Sequence, residues 1–552
     1  MTSGALRGTR ATRLLLAGIA LAWGFLWFAS LDSHPLFNPD EGRYAEIPRE
    51  MVQSGNWLVP HLNDVAYIEK PPLQYWATAV SFSVFGSSVW AARFYTGLCG
   101  FLTVLIVAAL ASRLWGPESG WRAALMTGSC LLIVLVGHQL TLDMSLTFFT
   151  TAMVCAFCVA QSCREEAGRN RFWMRIAWVA AALAMLTKGL VALVLPGATL
   201  VIYSLLQGDR IVWRRLAIPS GLALLLLIAV PWFVLIQREV PQFFQFFFVR
   251  EHFARYLTRI ADRYEPWWFF VPILVAGCLP WLVPAGRALF SGWRAAAPRG
   301  QFDARRFLWV WTAVTFCFFS ASDSKLVPYI LPMFPTLALL MAASSETSLR
   351  RDLRITGYGM IVVGVLLLSL AAFAPQLTAP SDQAVFYLRM RPYGLAMGIA
   401  LMAGGLWSRR APERSLIQTS AIAAASFASF ALLLFASREV APLFSGASLA
   451  SQLPQSLLSG APVFSVRTYD QTLPFYLGRV VTLVDERNEM DFGLTREPSK
   501  EISTLACFES QWQGMNQAFA VLEPKTLAEM QDRGVPMVVR ARDAQRVVVS
   551  RR

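Results

Sequence analysis

Runs of about 20 predominantly apolar residues recur along most of this 552-residue chain, and no other feature constrains its fold as much. A helix rises 1.5 Å per residue, so each run matches the roughly 30 Å hydrocarbon core of a bilayer. Composition agrees, with 55% hydrophobic and 15% charged residues against roughly 25% charged in soluble domains. The expected class is therefore an α-helical integral membrane protein whose length counts helices. Spans are predicted at 12–30, 90–113, 121–138, 142–162, 173–187, 190–206, 214–236, 266–288, 306–321, 328–344, 355–374, 391–408 and 416–436, about thirteen in all.

The arginines set the sidedness. With the N-terminus cytoplasmic and the first run kept as a span, the inside loops hold Arg113 and Arg122; Arg164, Arg169, Arg171 and Arg175; Arg210, Arg214 and Arg215; Arg287 through Arg306; Arg350, Arg351 and Arg354; and Arg409, Arg410 and Arg414. Every inside loop is basic, as the positive-inside rule requires. The formal charge of +14 is thus a topology signal, and nucleic acid is rejected as a partner. Seven of the eight cysteines fall in or beside apolar runs and only Cys507 lies in the tail, which implies neither a disulfide framework nor a cysteine metal knot.

Residues 1–440 are read as the membrane domain and 441–552 as a small soluble α/β domain on the outer side. In that tail the β-type runs "PVFSV", "VVTLV", "QAFAVLE", "PMVVR" and "RVVVS" alternate with helical stretches such as "KTLAEMQDRG". It carries no phosphate loop, dinucleotide fingerprint or zinc spacing, and its expected role is to shape or cover the outer face of the membrane part.

Two long outer loops are expected to lie on the membrane. In the first, Asp40 is placed to cap an amphipathic interfacial helix with Tyr44, Ile47 and Met51 on one face. Pro71 and Pro72 suit a second helix start after Glu69 and Lys70, and the segment from Leu73 to Phe85 is short for a span. The second loop mixes phenylalanine and tryptophan with Arg250, Glu251, His252, Arg255, Arg259 and Arg263, a combination that suits a lipid phosphate.

Of 49 basic residues only five are lysine, and the first 440 residues hold three: Lys70, Lys188 and Lys325. All three map to the outer side, where Asp40, Glu41, Glu69, Asp143 and Asp323 also fall. Taken singly, Lys188 reads as a snorkelling side chain, Asp143 as a helix cap and Glu69 as the partner of Lys70. Taken together they suggest a site, because ionisable groups at membrane boundaries are costly and a compact ammonium suits phosphate. If the ligand is a sugar on a lipid phosphate, cleavage at the anomeric carbon develops positive charge on the ring and negative charge on the departing phosphate. Lysine and arginine stabilise that phosphate, and a carboxylate orients or deprotonates the acceptor. The leaving group is already good, so no nucleotide or catalytic metal is required.

The aspartate-glutamate pair in the first outer loop resembles the hallmark of the multi-span, polyprenyl-phosphate-dependent glycosyltransferases of the GT-C class. The stretches "NPDEGRYAEIPREM", "YIEKPPLQYW", "LTKG" and "SDSKLVPYILPMFP" resemble more closely the aminoarabinose transferase family, related to protein O-mannosyltransferases. The resemblance covers about the first 340 residues. It implies transfer of 4-amino-4-deoxy-L-arabinose from undecaprenyl phosphate to lipid A phosphates at the periplasmic face of a bacterial inner membrane, by a monomer among membrane lipids. By position it makes Asp40 the catalytic carboxylate and Asp143 a second acidic candidate. Lys70 and Arg255 would hold the carrier phosphate, with Lys325 and Tyr329 in the same cavity and Glu41, Arg43, Tyr67 and Lys188 completing it. Glu69 and His252 are donor types that suit a divalent ion such as zinc, although a salt-bridged histidine is the plainer reading. The rival expectations are another transferase of this class with a protein or glycan hydroxyl as acceptor, a lipid transporter, and an anchored receptor domain. Transporters tend to place polar groups at the midplane on repeated, broken helices, whereas here the charges gather at the outer end.

Overall fold

The computed structural model describes residues 10–163, 165–254, 264–294, 297–377, 383–410, 414–453 and 460–551. The chain is mainly helical. Helices α1 (Arg10–Ala29), α2 (Asp40–Ser54), α3 (Leu73–Phe85), α4 (Val89–Trp115), α5 (Pro117–Gly128), α6 (Leu131–Gly137), α7 (Leu142–Ser162), α8 (Ala167–Lys188) and α9 (Val191–Gln207) precede the longer helices Ile218–Glu239, Ala304–Ala321, Glu346–Leu377, Arg391–Arg410 and Ser415–Ala436. Each predicted span falls on one helix or on a broken pair. Among the described residues five helices are long and apolar enough to cross a bilayer, or seven when each bent pair counts as one. Length and apolarity together thus account for seven of the thirteen expected spans; three of the others are shorter apolar helices, and Ala167–Lys188, Ala304–Ala321 and Arg391–Arg410 are long enough but less apolar.

The two bent pairs support each other. α5 and α6 meet at 62°, and Phe270–Gly277 meets Leu282–Ser291 at 120°. The N–H of Leu131, freed by the first break, donates to the carbonyl of Leu279 at the second, 3.0 Å away. Inside a bilayer a broken helix persists only where protein satisfies its loose backbone groups. The helices from Glu346 and Arg391 instead pack through glycine, where an added Cβ at Gly405 would lie 2.5 Å from the carbonyl of Gly357. Such close approach is a common substitute for the hydrophobic drive that is absent between membrane helices.

Beyond Val440 the chain forms a six-stranded sheet in the order β5-β4-β3-β6-β8-β7, from β3 (Val463–Val466), β4 (Thr482–Val484), β5 (Glu501–Ile502), β6 (Phe519–Leu522), β7 (Val538–Arg542) and β8 (Val547–Ser550). Strands β3 to β6 are parallel neighbours, while β8 and β7 add antiparallel. Central β3, β6 and β8 are buried throughout, as parallel-sheet interiors require. The five β-type runs read from the sequence each supply a strand; the two-residue β5 was not anticipated.

The tail also reaches the loop between α1 and α4. Tyr44, Ile47, Met51, Tyr75 and Phe82 of that loop share one apolar core with Phe475, Leu483, Met490 and Leu494 of the tail. The amphipathic pattern of α2 is present, but its polar face is covered as well. Glu41 through Met51 are all buried, because the tail packs against the side that would otherwise meet water. A hairpin of β1 (His61–Leu62) and β2 (Val65–Ala66) follows α2, and the Asn63 side chain at its turn bonds both the N–H and the C=O of Val481, at 2.8 and 2.6 Å.

Candidate active site

The start of α2 separates the two adjacent acidic residues. Consecutive helical positions point about 100° apart, so Asp40 and Glu41 cannot face one cavity. Asp40 keeps 36% of its side chain exposed, whereas Glu41 is fully buried. Pro39 occupies the N-cap with no side-chain bond, so Asp40 does not cap the helix as expected. Glu41 makes the local contact instead, accepting from the Phe37 N–H at 2.9 Å.

Glu41 also accepts from Arg93 Nε at 2.7 Å, Arg93 Nη2 at 2.8 Å and the Leu140 N–H at 2.8 Å. Arg93 donates further to the carbonyls of Leu31, His34 and Pro35. Burial opposes the Glu41 charge, yet the Arg93 guanidinium prevails and its pKa lies below the ordinary value. Expected in the cavity, Glu41 is therefore a clasp. It fixes the entry to α2, next to Asp40, against α4 and against the segment that leads into Asp143.

Arg43, one turn after Asp40, shares its face. Its Nη1 lies 3.3 Å from Asp40 Oδ1, its Nη2 pairs with Glu489 of the C-terminal region, and its guanidinium covers the Tyr67 ring at 5.7 Å. Glu489 is held in turn by Gln471 Nε2 at 2.9 Å. Burial raises the Glu489 carboxyl above its usual value, with Arg43 opposing that rise. Burial likewise lifts the Tyr67 phenol well above the usual range. The hydroxyls of Tyr67, Tyr75 and Tyr469 are buried without a hydrogen-bond partner in the protein.

A second charged group is built on α7 and α8. Asp143 lies in the first turn of α7, with Thr141 rather than Asp143 at the N-cap, and pairs with Lys188, the last residue of α8. The Lys188 ammonium sits 4.3 Å from the centroid of Tyr329, a cation–π contact. The buried Tyr44 phenol lies within electrostatic reach of Asp40, Arg43 and Asp143. Ser145, two residues after Asp143, donates to Gln74 of α3 at 2.8 Å and ties α7 to the helix that follows Lys70.

Lys70 Nζ lies 3.5 Å from Glu251 and 3.8 Å from Glu69, and donates to the Glu69 carbonyl at 3.1 Å. Lys325 donates to the carbonyls of Glu265, at 2.7 Å, and Ser322. Burial lowers its pKa, with Asp323 and Glu265 opposing. Arg255 lies outside the described residues, as does the side chain of His252. Both described flanks of that segment reach the site: Glu251 meets Lys70, and Tyr264 pairs with Ser324 beside Lys325. Among the described residues no three histidine, cysteine, aspartate or glutamate side chains are grouped to hold a metal ion, and the expected pairing of Glu69 with His252 falls on a side chain outside the described residues.

The sequence reading missed Glu489, Gln471, Tyr75 and Tyr469. Tyr75 stands in the quoted stretch "YIEKPPLQYW", but Glu489 sits among other charged residues in a tail with no recognised motif, and only the fold carries it to Arg43. Near helix ends and connecting loops the fold thus sets the part-exposed Asp40 on the buried Arg43, Asp143 on Lys188, and Lys70 between Glu69 and Glu251.

Residues 69–235 match the model of the dolichyl-phosphate-mannose-protein mannosyltransferases, and residues 449–551 match the aminoarabinose transferase C-terminal domain. Proteins named undecaprenyl phosphate-alpha-4-amino-4-deoxy-L-arabinose arabinosyl transferase are 33% identical over 367 residues in Enterobacter sp. and 35% identical over 364 residues in Proteus mirabilis. These alignments cover 65% and 64% of both chains, just under two thirds of the curated relatives' length. The crystal structure of ArnT from Cupriavidus metallidurans bound to undecaprenyl phosphate superposes with a TM-score of 0.90 at 32% identity, covering 99% of each chain. The Archaeoglobus fulgidus oligosaccharyltransferase shares the fold alone, with a TM-score of 0.52 and 11% identity over 93% of this chain and 70% of that one. With near-complete coverage by one such structure and matching models at both ends, this multi-pass membrane protein belongs to the aminoarabinose transferase family.

Proposed function

We propose that the protein transfers 4-amino-4-deoxy-L-arabinose from undecaprenyl phosphate to a phosphate of lipid A, at the periplasmic face of a bacterial inner membrane. What supports this reading is the superposition of nearly the whole chain on a protein solved with undecaprenyl phosphate, together with the pairs Asp143–Lys188, Lys70–Glu251 and Asp40–Arg43 at helix ends and loops. The outward orientation rests on the basic inner loops.

In this reading Lys70 and Arg255 take the charge that develops on the departing phosphate, with Lys325 and Tyr329 beside them. Pre-placed cations at a developing anion are among the strongest catalytic devices. The C1–O bond to the carrier phosphate breaks and an acceptor oxygen bonds to C1. A lipid A phosphate oxygen is already anionic near neutral pH, so Asp40 acts chiefly by positioning, through the amino group of the sugar. A hydroxyl acceptor, as the mannosyltransferase match allows, would require Asp40 as a base.

The test is turnover of purified protein in vesicles carrying the lipid-linked aminosugar, with lipid A or a hydroxyl lipid offered as acceptor. Product on lipid A alone supports the proposal, and product on the hydroxyl lipid alone overturns it. Asp40→Asn then separates the two roles, since a residual rate with an unaltered pH profile excludes proton removal.

A further inference from the structure

We infer that Glu489, contributed by the C-terminal region, is a positioning residue that orients Asp40 through Arg43, so that the catalytic face is complete only when that region is docked. The inference deepens the proposed function and rests on its reading of Asp40 as the carboxylate at the reacting centre.

The geometry is a relay. Arg43 spans two carboxylates with the two ends of its fork, Nη1 toward Asp40 at 3.3 Å and Nη2 on Glu489. The guanidinium is nearly buried at 6% side-chain exposure and Glu489 is at 18%, while Asp40 keeps 36%. The exposed end of the relay is therefore the carboxylate proposed to meet substrate. Arg43 Nε has no hydrogen-bond partner, so the fork is held by its two ends alone, with the Tyr67 ring beneath it. Gln471 fixes the far end.

The frame around the relay is stiff. Gly42 lies against the backbone of Gln471 and Thr472 with no room for a Cβ. The Thr472 N–H donates to the Asn38 side chain at 3.1 Å, the Asn38 N–H to the Phe444 carbonyl at 2.8 Å, and the Leu36 N–H to the Tyr476 hydroxyl at 2.7 Å. The segment that carries Gln471, the partner of Glu489, is thus tied to the start of α2. With Glu489 neutral, Arg43 has a single charged partner left, and the fork that orients Asp40 loses its charged anchor at the far end. An ångström of misplacement at a reacting group is enough to cost about 100-fold in rate.

The test uses the full-length protein in vesicles. Glu489→Gln is expected to lower kcat for the undecaprenyl-phosphate-linked aminosugar by about 10- to 100-fold, while affinity for undecaprenyl phosphate itself and the melting temperature stay at wild-type values. Burial holds the Glu489 carboxyl above its ordinary range, so part of the wild-type acid limb of kcat comes from its protonation, and Glu489→Gln removes that part. Glu489→Asp restores most of the rate, and Gln471→Ala gives a smaller loss in the same direction. Wild-type kcat and pH profile in Glu489→Gln would overturn the inference while leaving the proposed function standing. An equal loss of undecaprenyl phosphate binding would make Glu489 a merely structural residue and overturn it too. A wild-type protein that transfers nothing would overturn both.

Discussion

Glu41 and Arg93 form a fully buried, two-pronged ion pair, 2.7 and 2.8 Å long, between α2 and α4. Removing one member leaves an uncompensated charge in the interior, which typically costs about 3–5 kcal/mol, whereas removing both together costs far less. Arg93→Met and Glu41→Gln are therefore each expected to lower the melting temperature sharply in detergent, and the double variant to recover much of the loss. Equal melting of all three proteins would show that the pair does not clamp the loop.

Gly42 is the point where α2 touches the C-terminal region backbone to backbone. An added Cβ would lie 2.4 Å from the carbonyl carbon of Gln471, with no flexible side chain to yield. Gly42→Ala should cost about 1–3 kcal/mol by overpacking and expose the seam to limited proteolysis between residues 440 and 470. Gly55→Ala at the C-terminus of α2, where nothing lies within 4 Å but φ is +71°, controls for backbone strain alone. Its melting should drop without new cleavage at the seam.

Glu50 makes stability depend on pH. Its carboxylate accepts from the N–H groups of Asn63 and Asp64 at 2.6 and 2.8 Å, and it sits beside Glu46, Arg49 and Tyr469. Burial first, and the Glu46 charge second, raise its pKa from 4.5 to about 9. The folded state thus holds this proton more tightly than the unfolded chain. Its contribution is fully present below pH 4.5 and is lost as pH rises through about 9. The difference in melting temperature between wild type and Glu50→Gln should narrow or reverse across that window. A constant difference from pH 5 to 9 would contradict the assignment.

Lys70 is expected to hold a carrier phosphate, and a charge-assisted hydrogen bond is worth about 1.5–3 kcal/mol. Lys70→Ala should weaken undecaprenyl phosphate binding by about 10- to 100-fold, with Lys70→Arg intermediate because a planar fork replaces a compact ammonium. Calorimetric or tryptophan-quenching titration of all three proteins measures this. Unchanged affinity in Lys70→Ala would remove Lys70 from the phosphate site.

The membrane class, the positions of the helices and the strands of the tail were legible in the sequence because each is a local property. Apolar length marks a helix that must satisfy its own backbone in lipid, and alternation among β-branched residues marks a strand. The scarcity of lysine also pointed to Lys70 and Lys188, both of which the fold sets beside carboxylates. A quoted motif was less informative about its own members, since "DE" gives no sign that its aspartate stays part-exposed beside Arg43 while its glutamate is buried on Arg93.

That division follows from the helix phase at Pro39 and from what packs on each side, and only the tertiary structure decided it. The same holds for α2, whose sequence reads as half wet until the tail covers its polar face. Arg43 and Glu489 are 446 positions apart. No periodicity or composition relates two such residues, because their meeting depends on how a folded domain seats on a membrane bundle. Local sequence set which groups are costly to leave in lipid or water; long-range packing chose which of them face one another.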